Sequence, residues 1–243
     1  MSVFTTITYA KEGPMGVVRL ARPQTVNAFS VRMRDELVEA LTAVRDDSDV
    51  RALLLEGEGR GFCAGADLSE FGTAPSQAIA RRVRFQRDVF GLMASLPVPT
   101  LAAVHGACLG SGVELVAACD VRLAADDASF GMPETGWGLI AAAGGTQLLP
   151  RLVGQGRALE LLLTGRRFSA IEALSCGLAH RIVPRAALGG EARAWLTHII
   201  EAPAPALATA KRAVNELADL PLAEALAGEE RLARLLGVGG PLR

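Results

Sequence analysis

Short apolar runs alternate along the chain with longer stretches of helical periodicity. Gly16-Val-Val-Arg-Leu20 is short and β-branched and stops at Arg22-Pro23, as a strand followed by a turn does. Ser30 then precedes a stretch in which Leu37, Ala40, Leu41 and Val44 recur at helical spacing, predicting a helix capped by Ser30. Ala52-Leu-Leu-Leu55 reads as a buried strand, and a helix-length gap between two such strands predicts a βαβ unit. Ser76 to Leu96 reads as one helix, with Ile79, Val83, Val89, Phe90 and Met93 apolar and Pro97 and Pro99 ending it. Thr100 to Val104 predicts a strand, Ser111 to Cys119 a helix leaving a glycine-rich turn, and Val121 to Ala124 a further strand. From Gly144-Gly145 to Leu174 the signals are helical, punctuated by Gly154, Gly156 and Gly165. Residues 191–200, 205–218 and 222–236 predict three more helices, separated by Pro203, Pro205 and Pro221. The expectation is one α/β core whose β/α alternation gives way to helices only near residue 145, without repeat or linker.

Composition narrows the function classes. Half of the 243 residues are hydrophobic and 21% are charged, which excludes a disordered chain. Lys+Arg 25 against Asp+Glu 26 gives a net charge of −1, so nothing draws the protein electrostatically to nucleic acid or an anionic membrane. Aromatics at 5% argue against a stacking platform for single strands. Cys63, Cys108, Cys119 and Cys176 form no CxxC and no spaced Cys/His set, so buried reduced thiols are expected, without disulfide or metal. The opening MSVFTTITYAKEG lacks the apolar core of an export signal. The most apolar stretch, Leu101 to Ala118, contains His105, Glu114 and three glycines, unlike a membrane span. A cytoplasmic protein is expected.

Among candidate chemical groups, Glu114 stands out in Leu109-Gly-Ser-Gly-Val-Glu-Leu-Val-Ala-Ala118, where the other side chains are small or apolar. With a helix starting near Ser111, Glu114 lies one turn in, on the face of residue 111. First-turn N–H groups lack intrahelical partners and carry the positive end of the dipole, so this segment offers anion donors beside a carboxylate. Taken alone, it favours a plainer role, a carboxylate stabilising the helix start. Glu134, on a turn between Ser129-Phe-Gly-Met-Pro133 and Thr135-Gly-Trp-Gly-Leu-Ile140, reads alone as a cap or a solvent-facing group. Two carboxylates across one pocket would instead suit proton transfer. The loop Phe62 to Asp67 is built of small residues that let a backbone approach a ligand, but it matches neither a phosphate loop nor a dinucleotide fingerprint. Asp67 reads first as a cap for a short helix. Arg81, Arg82, Arg84 and Arg87 read as a solvated helix face, His105 as a satisfied core histidine, and Asp120 as structural. Ser111 has no His/Asp partner that would make it a nucleophile.

Taken together, these segments resemble the enoyl-CoA hydratase/isomerase (crotonase) family over about Val17 to Glu230. The similarity is carried by Arg22-Pro-Gln-Thr-Val-Asn-Ala28, Gly61-Phe-Cys-Ala-Gly-Ala-Asp-Leu68 and Ala102-Ala-Val-His-Gly-Ala-Cys-Leu-Gly-Ser-Gly-Val-Glu-Leu115. Cys119-Asp120, Phe130-Gly-Met-Pro-Glu134, Gly144-Gly-Thr-Gln147 and Leu163-Thr-Gly-Arg166 follow in the family's order. The resemblance implies an α/β fold, a crotonase-like spiral of ββα units over residues 1–190, and a helical C-terminal trimerisation region over 191–243. It implies an acyl-CoA substrate, no metal or redox cofactor beyond the coenzyme A of the substrate, and a homotrimer or homohexamer that binds neither nucleic acid nor membrane. The backbone N–H groups of Ala66 and Ser111 map onto the family's oxyanion hole, and Glu114 and Glu134 onto the two hydratase glutamates, acid and base unassigned. Val26, Ala28, Ala64, Asp67, Leu68, Gly110 and Pro133 map onto substrate-binding positions. Hydration of a 2-enoyl-CoA is the leading expectation. A Δ3,Δ2-enoyl-CoA isomerase, working mainly through Glu134, stands second, ahead of hydrolase or decarboxylase members. A silent CoA-binding paralogue is the alternative of another class. Three departures stand out: Ser111 replaces a usual Gly, Leu139-Ile-Ala-Ala142 lacks a Pro-Gly pair near the acyl pocket, and Pro241-Leu-Arg243 ends the chain without a final charged helix.

Overall fold

The computed structural model describes residues 4–76, 78–79 and 86–237. In chain order these form β1 (Ile7–Glu12), β2 (Met15–Leu20), α1 (Val31–Asp46), β3 (Ala52–Gly57), α2 (Val89–Ser95), β4 (Thr100–Val104), β5 (Ala107–Leu109) and α3 (Ser111–Ala117). They continue with β6 (Val121–Ala125), β7 (Ser129–Gly131), α4 (Gly145–Val153), α5 (Gln155–Thr164), β8 (Arg167–Ser169), α6 (Ala170–Ser175), β9 (Arg181–Val183), α7 (Leu188–Ile199), α8 (Ala204–Leu217) and α9 (Leu222–Leu235).

Two sheets organise the chain. The larger runs β1-β2-β3-β4-β6-β9, parallel except for the β1–β2 hairpin; the smaller runs β5-β7-β8. Each turn of backbone lays one strand in the first sheet and the next in the second: β4 then β5, β6 then β7. Cys63 bridges to Cys108 in parallel register, so the residues after β3 join the second sheet in the same way. This is a spiral of β/β turns closed by helices. Strand residues point alternately to two covered faces, which explains their continuous apolar runs. Leu53 and Leu55 face the core shared with α1 and the second sheet, whereas Ala52 and Leu54 face a second core under α7.

The predicted helix over 31–46 is present, and the Ser30 hydroxyl accepts from Met33 N at 3.2 Å. Other expectations need correction. The β1 strand went unread because Ile7 is its one buried residue, leaving no alternation to see. The chain does not become purely helical after 145, since β8 and β9 each add a short strand to a sheet edge. Three-residue strands carry too few side chains for a period to appear. The stretch 76–96 is not one described helix: residues 86–88 are irregular, and Asp88 caps a new start by accepting from Gly91 N at 2.8 Å. Arg87 therefore precedes a helix rather than lying on one. Gln77, Ala80 to Phe85 (with Arg81, Arg82, Val83 and Arg84) and the final Pro241-Leu-Arg243 fall outside the described residues. Gly156 does not punctuate but sits inside α5. The division expected between residues 190 and 191 falls within α7, whose Ala192 and Leu196 pack on the larger sheet.

The hairpin is fastened to α1 by one carboxylate. Glu36 accepts from Thr6 Oγ1 at 2.6 Å, Thr6 N at 2.8 Å, Thr5 N at 3.1 Å and Arg32 Nε at 2.9 Å. Burial pushes this carboxyl up, but the Thr6, Arg32 and Thr5 bonds outweigh it and hold it at about 2. An unfolded chain would protonate near the ordinary 4.5. The contribution to stability is therefore complete above that value and is lost as pH falls toward 2. Glu36→Gln should cost about 2 kcal/mol at pH 7, read by denaturant unfolding, and flatten the loss of stability across that acid window. Equal acid slopes in variant and parent would refute it.

Candidate active site

Parallel pairing brings the glycine-rich loop to the start of α3. Phe62 N donates to His105 O at 2.8 Å, Cys63 N to Ala107 O at 3.0 Å, and Leu109 N to Cys63 O at 2.9 Å. The loop thus runs beside β5 in fixed register, and each reaches a glycine with positive φ, Gly65 (+97°) and Gly110 (+48°). These two touch: a Cβ on Gly65 would lie 3.1 Å from Leu109 O, and one on Gly110 would lie 3.7 Å from Gly65 Cα. The residues that follow them are Ala66 and Ser111.

The N–H groups of both are open. Phe29 N donates to Gly65 O and Asp67 N donates to Phe29 O, so the pleat turns the intervening Ala66 N–H away from Phe29. Ser111 is the first residue of α3, and its cap Gly110 supplies no side-chain acceptor. Neither N–H donates within the described residues, and both residues line one cavity of about 1210 Å³.

Two carboxylates flank this turn. Glu114, one turn into α3, is 1% exposed, and its Oε1 accepts from Ala143 N at 2.9 Å and Gly145 N at 3.0 Å. Gly145 begins α4, so Glu114 accepts at the start of that helix from one turn into α3. The bonded loop, Ala142 to Gly144, lines the cavity. Glu134 lies in a short 3-10 segment, Pro133–Trp137, which follows β7. Because β7 pairs with β5 and Gly110 N donates to Gly131 O at 2.8 Å, the segment returns to Gly110. A Cβ there would lie 2.5 Å from Glu134 Oε1.

The other expected positions divide between cavity and surroundings. Asp67 lines the cavity, accepts from Ser69 N at 3.1 Å as a cap, and pairs with Arg22 Nη1 at 2.8 Å. Its Ser69 bonds and Arg22 hold its carboxyl below the usual range. Val26 O accepts from Ala64 N at 2.8 Å, and Ala28 O from Arg22 Nη1 at 2.6 Å, so these three sit together beside the loop. Leu68 is half exposed, and Pro133 packs against Gly165. Val26, Ala28, Ala64, Leu68, Gly110 and Pro133, like both glutamates, do not line the cavity itself.

His105 and Asp120 are structural, as expected. His105 Nε2 lies 3.1 Å from Gly59 O, which requires a proton on that nitrogen, and burial pulls the imidazole below its ordinary value. Asp120 accepts from Thr100 N at 2.7 Å and Lys211 Nζ at 2.7 Å. All four cysteines are free, and burial pushes the Cys63 and Cys119 thiols to about 12, too high for a reactive thiolate. Among the described residues no group of three or more His, Cys, Asp or Glu is placed to hold a metal, and no helix is long and apolar enough to cross a membrane.

Asn27 was given no role from sequence. It is fully buried at φ +55°, accepts from Arg22 N at 2.8 Å, and donates through Nδ2 to the carbonyls of Glu58 (2.9 Å), Gly61 (3.0 Å) and Phe62 (3.1 Å). It sets the path of the glycine-rich loop. Its signal was the residue type itself, since asparagine tolerates the left-handed region better than most side chains.

Comparison with known proteins identifies the family and the fold. The family model described as enoyl-CoA hydratase/isomerase matches residues 10–236. A probable enoyl-CoA hydratase of Mycobacterium tuberculosis is 39% identical over 232 residues, 94% of this chain and 88% of the relative. A probable mitochondrial enoyl-CoA hydratase of Arabidopsis thaliana is 38% identical over 88% of this chain and 71% of its own length. Among solved structures, subunit I of an enoyl-CoA hydratase from Geobacillus kaustophilus superposes with a TM-score of 0.91 at 37% identity, covering 97% of this chain and 91% of that one. An enoyl-CoA hydratase of Bacillus anthracis gives 0.90 at 36% identity, covering 95% and 90%. The spiral is that of these crotonase-fold enzymes.

Proposed function

Since the chain is an enzyme of the enoyl-CoA hydratase/isomerase family, we propose that it adds water across the C2–C3 double bond of a 2-enoyl-CoA thioester. One observation carries this reading: two backbone N–H groups without acceptors among the described residues, Ala66 and Ser111, share a cavity wall and are flanked by Glu114 and Glu134.

Attack of water at C3 moves electron density through C2 onto the thioester oxygen. The Ala66 and Ser111 N–H groups receive that charge from fixed positions, so no reorganisation is needed as it develops. Donation from backbone requires no particular side chain, which accommodates serine at 111. One glutamate holds water over C3 and takes its proton as the C3–O bond forms; a proton reaches C2 from the carboxyl side of the same pair. No redox or metal cofactor is required for this addition, and coenzyme A enters only as part of the substrate.

A second reading has its own observation. Oε1 of Glu114 is already engaged by two backbone N–H groups. This favours a positioning role that would leave Glu134 as sole base, sufficient to move a 3-double bond to position 2. The two are separated by following loss of enoyl thioester absorbance with crotonyl-CoA and its gain with a 3-enoyl-CoA. Hydration is expected. Folded protein that turns over only the 3-enoyl substrate would establish the isomerase, and binding without turnover of either would leave a silent CoA binder.

We also propose self-association through the C-terminal helices. α8 has no buried residue, and Val214, Leu222, Leu226 and Leu235 expose apolar side chains on α8 and α9. Light scattering should give three or six times the mass of one chain; a monomer across micromolar concentrations would overturn this.

A further inference from the structure

One buried amide fixes the register of the loop that carries Ala66. We propose that Asn27 is a positioning residue for the reaction: by holding segment 26–29 against residues 58–67 it decides that the N–H left open in this loop is that of Ala66. This rests on reading Ala66 and Ser111 as the thioester donors.

Phe29 bridges to Ala66 in parallel, its N donating to Gly65 O at 2.8 Å and its O accepting from Asp67 N at 2.9 Å. The residue opposite such a bridge turns its own N–H and C=O outward. A slip of one residue would bring Ala66 N to Phe29 O and close the donor. Val26 O also meets the loop, accepting from Ala64 N at 2.8 Å. Residues three apart in extended backbone send their polar groups to opposite sides, so Val26 and Phe29 both face the loop only because the chain twists between them. Val26 and Asn27 supply that twist at φ +51° and +55°, the only non-glycine residues with positive φ among the described ones.

A β-branched residue rarely adopts this conformation, and such backbone persists where its surroundings over-determine it. Asn27 provides the constraint. Its side chain is fully buried, and its Oδ1 accepts from Arg22 N at 2.8 Å, across the turn. The two Nδ2 hydrogens are shared among the carbonyls of Glu58, Gly61 and Phe62, at 2.9, 3.0 and 3.1 Å. One amide thus ties the left-handed turn to the entry of the glycine-rich loop. Ser111 is placed from the second sheet, where Gly110 N donates to Gly131 O at 2.8 Å. Loss of the Asn27 amide should therefore disturb one donor and spare the other.

The carbonyl stretch of a bound thioester reads the donors directly, because hydrogen bonds that polarise the C=O lower its frequency. Infrared difference spectra with butyryl-CoA, labelled with carbon-13 at the thioester carbonyl, record it without turnover. Binding to the parent protein should shift the band down. Asn27→Gly leaves the left-handed backbone accessible and removes only the amide. It should lose much of that downshift, Ser111 retaining the rest, and lower kcat for hydration of crotonyl-CoA about 10²-fold with KM within about threefold of the parent. Glu36→Gln, destabilised at the β1–β2 hairpin, is the control and should keep the parent's shift and kcat. Asn27→Ser, whose hydroxyl reaches fewer of the three carbonyls, serves should Asn27→Gly not fold, and should lose part of both. Folded Asn27→Gly or Asn27→Ser with the parent's shift and kcat would overturn the proposal, as would an equal loss in Glu36→Gln. No shift in the parent would reject the donor reading, and the proposal with it. A shift that Asn27→Gly loses, in a protein that hydrates nothing, would uphold the role of Asn27 and reject the hydratase reading instead.

Discussion

Glu114→Gln and Glu134→Gln are each expected to lower kcat for hydration of a 2-enoyl-CoA by about 10²–10⁴-fold, the range over which positioned acids and bases act. Glutamine keeps the shape of each side chain. At 114 its amide oxygen can still accept from Ala143 N and Gly145 N, so the start of α4 and the cavity wall beside it persist. What disappears is a group able to exchange a proton. Thermal melting and CoA-thioester affinity close to those of the parent, with collapse of turnover in both variants, would assign both carboxylates to chemistry. Should Glu114→Gln keep hydration within a few-fold while Glu134→Gln loses it, the two-carboxylate mechanism fails, and Glu114 becomes a group that holds α4 in place.

The second large effect needs only one added methyl. Gly110 sits at φ +48°, ψ −116°, between the strand that carries the register and the helix that carries Ser111. A Cβ there meets Glu134 Oε1 at 2.5 Å, so the carboxylate or the turn must move. Either displacement disturbs the Ser111 N–H, and loss of one such donor costs about 10²–10³ in rate. Gly110→Ala should therefore lower kcat by at least about 10²-fold, with about 1–3 kcal/mol of lost stability from the strained backbone. Gly190→Ala is the control: it lies in α7 with nothing near its missing Cβ, and should leave turnover at the parent value. A Gly110→Ala protein that hydrates at the parent rate would show that neither Glu134 nor the donor depends on this contact.

Much of the scaffold was legible in the residues. The helix over 31–46, the strands at 15–20, 52–57, 100–104 and 121–125, and the break before Pro97 each carry periodicity or capping that acts over a few residues. The three-residue strands β5, β7, β8 and β9 were not legible, because their pairing partners lie far along the chain and their own patterns are too short; the hairpin strand β1 was not, because a single buried residue leaves no alternation to read.

For the site, the sequence by itself determined which groups are available: small residues before Ala66 and Ser111, a carboxylate one helical turn after Ser111, and another after Pro133. Local rules could read those features, yet they favoured a plain role for each carboxylate and for Asp67. That reading survived for Asp67, which caps the next turn. For Glu114 the sequence could not say which helix start its carboxylate meets, because the donors of Ala143 and Gly145 lie about thirty residues away (|i−j| of 29 and 31). Only the tertiary structure decided that the Gly65 and Gly110 turns touch, that Glu134 returns to the same glycine, and that Phe29 and Phe90 close one cavity. The reason is physical. Capping and periodicity are fixed by neighbours in the chain, whereas convergence of donors and carboxylates depends on strand register, and register is set by the burial of every strand at once.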